Sequence, residues 1–367
     1  MEQKSSRIRL SGVLLKATLL FVLFNFAFVF SNDIPFGNLS LYNLIFPGRE
    51  RFPFGERREA YNLSLFDLDA MFASHVLAGT EKSPDEYRVL LIGDSSVWGT
   101  LLAPEQTLAG QINAIPIPAC GKEVHAYNLG YPTISLMKDL MILDQAKQYQ
   151  PDMVIWLTTL EAFPKDKQFD SPIVANNSER IRQLIRNYEL PMNPNDPALV
   201  DASKWNQTFV SRRRALADLL RLQIYGALWA STGIDQFYPK DYERAQLDLE
   251  PDDKFHGLTS LKDALALDVL DAGMSAVSVP TILINEPMLI SNGINSNIRY
   301  NFFYPRWAYD EYRQLLTEHA AAGNWHFLDL WDLIPMQEFT NSAIHLTPEG
   351  EAMLSGEIME AIQTLCQ

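Results

Sequence analysis

The 367-residue chain contains only two cysteines, Cys120 and Cys366. That excludes a disulfide-dense scaffold and any CxxC zinc or redox motif. Basic residues are scarce beside acidic ones, 30 Lys and Arg against 45 Asp and Glu, giving a formal net charge of −15. So negative a surface repels phosphate backbones, and nucleic acid is not an expected partner. The sequence shows no internal repeat and no low-complexity tract, and no P-loop, GxGxxG or metal constellation follows any expected strand. No cofactor or metal is implied. Charged residues at 20% and hydrophobic ones at 47% are the proportions of a folded globule, which rules out wholesale disorder.

One long hydrophobic run is present. Residues 12–30 read GVLLKATLLFVLFNFAFVF, interrupted only by Lys16, Thr18 and Asn25. A helix needs ~20 mostly apolar residues to span a bilayer, and this run is about that long. Lys4, Arg7 and Arg9 precede it. The positive-inside rule therefore puts the short tail in the cytoplasm and everything after Ser31 outside, as a single-pass cell-membrane protein. The alternative is a cleaved signal peptide with Val29-Phe30-Ser31 as its cleavage region, and a secreted product. Bulky Phe28 and Phe30 and the lack of an A-x-A site favour the uncleaved anchor. On either reading Cys120 and Cys366 enter an oxidising compartment and are free to pair, although sequence does not show that they meet.

Three regions follow from the pattern: tail and anchor over 1–31, an irregular Pro-, Gly- and Phe-rich arm over 32–86 with a short helix at 66–77, and an α/β domain over 87–367. Strands are expected at 88–92 (RVLLI), 124–129, 152–158, 281–285 and 325–330. Helices are expected at 105–115, 134–148, 260–276, 307–322 and 348–364. Such alternation implies right-handed crossovers and a parallel sheet covered on both faces. The pattern lapses over about 170–258, read as a helical insertion whose helix at 204–230 carries Arg212, Arg213 and Arg214, a solvated face or a contact for anionic lipid or glycan.

Gly93-Asp94-Ser95-Ser96-Val97-Trp98-Gly99 stands where the first strand gives way to a helix. In open α/β sheets ligands bind at that carboxyl edge. A serine there exposes its hydroxyl beside its own free N–H and the positive end of a helix dipole, which suits attack on a carbonyl and stabilisation of an oxyanion. The plainer reading is a helix cap. A serine nucleophile needs a base. His345, in the loop before a helix opening at Pro348, falls on the same sheet edge. His125, inside an apolar strand, reads as a core residue, and the aromatic stretch 300–309 reads either as packing or as a surface for sugar or acyl chains.

GDSSVWG, then Asn128-Leu129-Gly130 after the second strand, then His-Leu-Thr-Pro-Glu-Gly from His345 resemble the blocks of the SGNH (GDSL-like) hydrolases. The resemblance covers roughly 88–158 and 280–365. It implies a flavodoxin-like α/β/α sandwich and an esterase, lipase, deacetylase or O-acyltransferase activity. Residue by residue, it implies Ser95 as nucleophile, the N–H groups of Ser95 and Gly130 as oxyanion donors, and His345 as general base.

Two positions depart from the family. Its third block ends in Gly-x-Asn-Asp, whose Asn is a further oxyanion donor. Here Leu160 stands at that place, with Thr159 and Glu161 beside it as candidate substrate contacts. Loss of one such donor can cost ~2.7–4 kcal/mol of transition-state stabilisation. The family also places Asp three residues before the His, where this chain has Ser342. Asn341, Asp332, Asp329 and Glu286 are the candidates for the third triad member. The expected protein is thus a membrane-anchored, extracytoplasmic serine esterase acting on acylated envelope glycan or lipid. An O-acyltransferase on the same fold, or a catalytically idle glycan-binding module, are the alternatives.

Overall fold

The computed structural model describes residues 9–30, 38–54, 67–200, 203, 205–232, 241–244, 255 and 257–366. Five strands form one wholly parallel sheet: β1 (Glu86–Ile92), β2 (Glu123–Asn128), β3 (Met153–Thr158), β4 (Thr281–Asn285) and β5 (His326–Asp329). Their order is β2-β1-β3-β4-β5, the flavodoxin-like doubly wound arrangement. The central strands β1, β3 and β4 are buried along their whole length, with apolar runs at their centres and polar residues only toward their ends, as expected when helices cover both faces. Strand β2 lies at the edge and alternates exposed with buried residues at its start. That alternation turns His125 outward, near Glu123, so it is not the core residue its apolar surroundings suggested.

Two apolar layers enclose the sheet. On one face lie the helices Leu136–Ala146, Ser178–Asn187, Leu267–Ser275 and Arg306–Ala322, and on the other lie Leu108–Asn113 and Pro348–Leu365. Most expected elements fall within a residue or two of their places. The helix expected at 260–276 forms only over Leu267–Ser275, and the one at 105–115 is a short turn followed by Leu108–Asn113. The insertion supplies Ser178–Asn187, which joins the core, and the 24-residue helix Phe209–Thr232. Residues 233–240 and 245–254 of that insertion lie outside the described residues.

Much of the described part of the expected arm is built into the domain. Phe52, Leu68, Met71 and Phe72 belong to the main core, and the expected 66–77 helix is two short helices, Leu68–Ala73 and Val76–Gly79. Between them His75 is buried. Its Nδ1 accepts the Leu77 N–H at 3.1 Å and its Nε2 faces the Asn128 carbonyl at 3.0 Å. Desolvation lowers its pKa to about 4, which keeps it neutral and structural.

Cys120 and Cys366 form a disulfide across 246 positions, tying the turn before β2 to the end of the last helix. At the other end of the chain, Leu10–Val29 is the one helix among the described residues long and apolar enough to cross a membrane. Its only buried residue is Asn25.

Candidate active site

Strand β1 delivers Gly93 to a point where only glycine fits, since a Cβ there would lie 2.5 Å from Val97 Cγ2 and 3.1 Å from the Leu157 carbonyl oxygen. Asp94 then caps the short helix Ser95–Trp98 by accepting the Ser96 N–H at 2.8 Å. Ser95 is the first residue of that helix, so its N–H has no intrahelical acceptor and points out with the positive end of the turn. Gly99 closes the helix in the left-handed conformation, at φ 85°.

His345 arrives from the far side of the sheet edge. Phe339 and Leu346 form an isolated antiparallel bridge, and the Thr340 N–H donates to the His345 carbonyl at 2.8 Å. This closes a tight loop in which Asn341 and His345 face each other. Thr347 caps the helix Pro348–Leu365 through the Gly350 N–H, so the loop is pinned immediately after the histidine.

The loop brings three side chains into a row. His345 Nε2 lies 2.8 Å from Ser95 Oγ, and His345 Nδ1 lies 2.8 Å from Asn341 Oδ1. With the carboxamide oxygen as acceptor, Nδ1 carries the proton and Nε2 presents its lone pair to the serine hydroxyl. Desolvation alone lowers the His345 pKa to about 4, and no carboxylate offsets it. The ring is therefore neutral, and able to accept a proton, across the ordinary pH range. A serine hydroxyl held against a neutral imidazole whose other nitrogen is fixed is the arrangement that serves nucleophilic acyl transfer.

Other expected participants lie elsewhere. Asp332 is exposed, and the hydrogen bonds of the His345 ring go to Asn341 and Ser95 instead. Asp329 accepts from Asn285 at 2.7 Å and pairs with Arg313 at 2.6 Å. Glu286 is buried, and its Oε2 meets the Ser96 hydroxyl rather than the histidine. Asn341 is therefore the one candidate third member that touches the imidazole. The residues expected to contact substrate have partners within the protein. Thr159 is fully buried with its hydroxyl 2.7 Å from Tyr304, and Glu161 pairs with Lys167 at 2.7 Å. Leu160 sits in the core. Tyr300, Tyr304 and Tyr309 are also buried, so these members of the aromatic stretch pack rather than face solvent.

The oxyanion side differs from expectation in one respect. Gly130 does lie beside the nucleophile helix, where a Cβ would meet the Trp98 nitrogen at 2.3 Å. Its N–H, however, donates to the Asn128 side-chain oxygen at 3.0 Å, while Asn128 Nδ2 donates to the Trp98 carbonyl at 3.3 Å. The Ser95 N–H is the donor at hand, and that of Gly130 has to leave its own Asx turn to assist.

Sequence reasoning missed the support beneath the site. Lys138, fully buried, donates to the Gly93 carbonyl at 2.6 Å and pairs with Asp139 at 2.6 Å. Asp139 also accepts from Trp156 at 3.1 Å, and burial pushes its pKa up to about 6. Glu286 is held well above the usual carboxylate range by burial and by nearby Asp94. From the arm, Arg51 donates to the Trp98 and Gly99 carbonyls at 3.2 and 3.0 Å and lies over the Trp98 ring. The Lys-Asp pair sits in the first turn of its helix and the arginine in an irregular stretch, so neither carries a periodic signal in the sequence.

No protein-family profile matches the chain, and no curated protein matches it in sequence. Solved structures do. One is a member of the lipolytic protein G-D-S-L family from Veillonella parvula DSM 2008, at 10% identity and a TM-score of 0.33 over 74% of this chain and 96% of that one. Another is a carbohydrate acetylesterase family member from Sinorhizobium meliloti, at 10% identity and a TM-score of 0.32 over 76% and 99%.

Proposed function

We propose that this chain is a membrane-anchored SGNH-type serine esterase that cleaves acyl esters of envelope glycan or lipid on the outer side of the membrane. The observation that carries the reading is the Ser95–His345–Asn341 row, reached from positions 250 apart in the chain. Ser95 Oγ attacks the acyl carbonyl as His345 Nε2 takes its proton, and the imidazolium returns that proton to the leaving alcohol oxygen. Water, deprotonated by the same nitrogen, then attacks the acyl-enzyme; the bond to Ser95 Oγ breaks, the imidazolium returns its proton to that oxygen, and the carboxylic acid leaves. Ser95 N–H holds the oxyanion, joined by Gly130 N–H once it leaves Asn128. A sugar hydroxyl in place of water makes the same site an O-acyltransferase.

One feature supports the outer location and another supports retention of the anchor. The Cys120–Cys366 bond suits an oxidising compartment. The Leu10–Val29 helix is also docked on the domain rather than loose: Asn25 Oδ1 accepts the Val210 N–H at 3.0 Å, and Phe24 and Phe28 pack edge-on against Phe209. A disposable signal peptide has no need of that seat.

A second reading, an idle binding module, is favoured by the core position of Leu160 and the occupied Gly130 N–H. A fluorophosphonate probe separates the two. The esterase labels at Ser95, with labelling abolished in Ser95→Ala and sharply reduced in His345→Ala. A folded chain that stays unlabelled sinks the catalytic reading.

A further inference from the structure

The inner face of the Phe209–Thr232 helix is accounted for. Leu222 packs on Ala70, and Tyr42 closes on Gly226. Its outer face is not. Leu220, Ile224 and Leu228 are 63%, 63% and 57% exposed, and their spacing of four puts them on one stripe. The neighbouring turn Leu41–Ile45, fixed by the Leu41 N–H to Gln223 at 2.7 Å, leaves Leu44 and Ile45 80% and 65% exposed. Exposed Arg213 and Arg214 stand toward the start of the same helix, a local cationic end on a chain of net charge −15.

We infer that this helix and turn form a second membrane contact, an in-plane surface whose apolar stripe enters the acyl boundary and whose arginines meet anionic lipid headgroups. Position selects lipid as the occupant. The helix begins at Phe209 and Val210, against the C-terminal end of the anchor helix, so its cationic start lies beside the segment assigned to the bilayer and its apolar stripe follows from Leu220. A cationic end beside an apolar stripe suits contact with anionic lipid, and Trp205 and Tyr225, both exposed, are of the residue types that favour headgroup depth. At 1.5 Å per residue the helix runs about 36 Å along the surface. Anchor and helix together would fix the orientation of the domain over the lipid rather than merely its proximity.

The inference rests on Leu10–Val29 being a retained anchor, and the test separates the two claims. The full chain is reconstituted into phosphatidylcholine vesicles with and without phosphatidylglycerol, carrying a nitroxide at Ile224→Cys or, as reference, at Glu357→Cys on the helix covering the opposite sheet face. Leu228→Cys replaces the first label should that variant fold poorly. In chains that float with the vesicles, the ratio of oxygen to nickel-chelate collisions is expected to be several-fold higher at 224 than at 357. Phosphatidylglycerol is expected to raise it, and Arg213→Ala with Arg214→Ala to cancel that rise. Equal ratios in floated chains overturn the surface and leave the anchor standing. Spin–spin broadening at 224 that dilution with unlabelled chain removes would show a second copy on the stripe instead, and also overturns it. Chains that do not float overturn both.

Discussion

Asn341 holds the proton-bearing side of His345 with a neutral group, its Oδ1 2.8 Å from Nδ1. A carboxylate there would raise the pKa of the imidazole; a carboxamide fixes the tautomer and leaves the charge unassisted. With its pKa lowered to about 4, His345 is protonated only in acid. Activity governed by this base is present above that value and lost as pH falls through it. Hydrolysis of p-nitrophenyl acetate should therefore show an acid limb near pH 4, well below the ordinary histidine value of ~6.5. Asn341→Asp should move the limb upward. A limb at or above 6.5 in the unaltered chain would contradict the lowering of the His345 pKa by burial.

Gly130→Ala tests the packing behind the nucleophile. The added Cβ meets the Trp98 nitrogen at 2.3 Å and the Val97 carbonyl carbon at 2.7 Å, backbone atoms that cannot swing aside. The Ser95–Trp98 helix must shift, and misplacement of about 1 Å can cost ~100-fold in rate. Fluorophosphonate labelling should slow by about that factor in a chain that retains its disulfide and circular dichroism. Unchanged labelling would place Gly130 outside the site.

Glu351 makes stability depend on pH. It is buried in the first turn of the last helix, and desolvation raises its pKa from 4.5 to about 8. Between those values the native state keeps a proton that the unfolded chain releases, so this group's contribution falls as pH rises from 4.5 to 8 and then levels off. Glu351→Gln should be nearly neutral at pH 5 and stabilising at pH 8, on the order of 4 kcal/mol at most. Urea unfolding of parent and variant at the two pH values is the measurement, and equal differences at both would refute it.

The Cys120–Cys366 bond closes a loop of almost the whole domain. In the chain-entropy account long loops gain most, and removing such a bond costs roughly 2–5 kcal/mol. Cys120→Ser with Cys366→Ser should lower the melting temperature while leaving labelling at Ser95 intact, because neither cysteine lies near His345 in the chain or belongs to the site. Retained melting temperature would mean that the unfolded state is already constrained.

Much was legible in the linear chain. The apolar runs Val89–Ile92 and Ile282–Ile284, inside β1 and β4, do not alternate because both sheet faces are covered, and that pattern announces a buried parallel strand without any knowledge of partners. Ser95 was readable from its place at a strand end, and His345 from its place before a capped helix. His125 was misread because apolar neighbours do not tell an edge strand from a central one.

What the sequence by itself determined is the alternation of strands and helices, the apolar N-terminal segment and the two residues proposed for the chemistry, since each follows from local periodicity or a local turn. The tertiary structure alone decided which group faces His345, that Thr159 and Glu286 are turned to other partners, that the two cysteines meet, and that Lys138 and Arg51 brace the nucleophile turn. These depend on where side chains distant in sequence are brought by packing, and no local pattern encodes a distance between them.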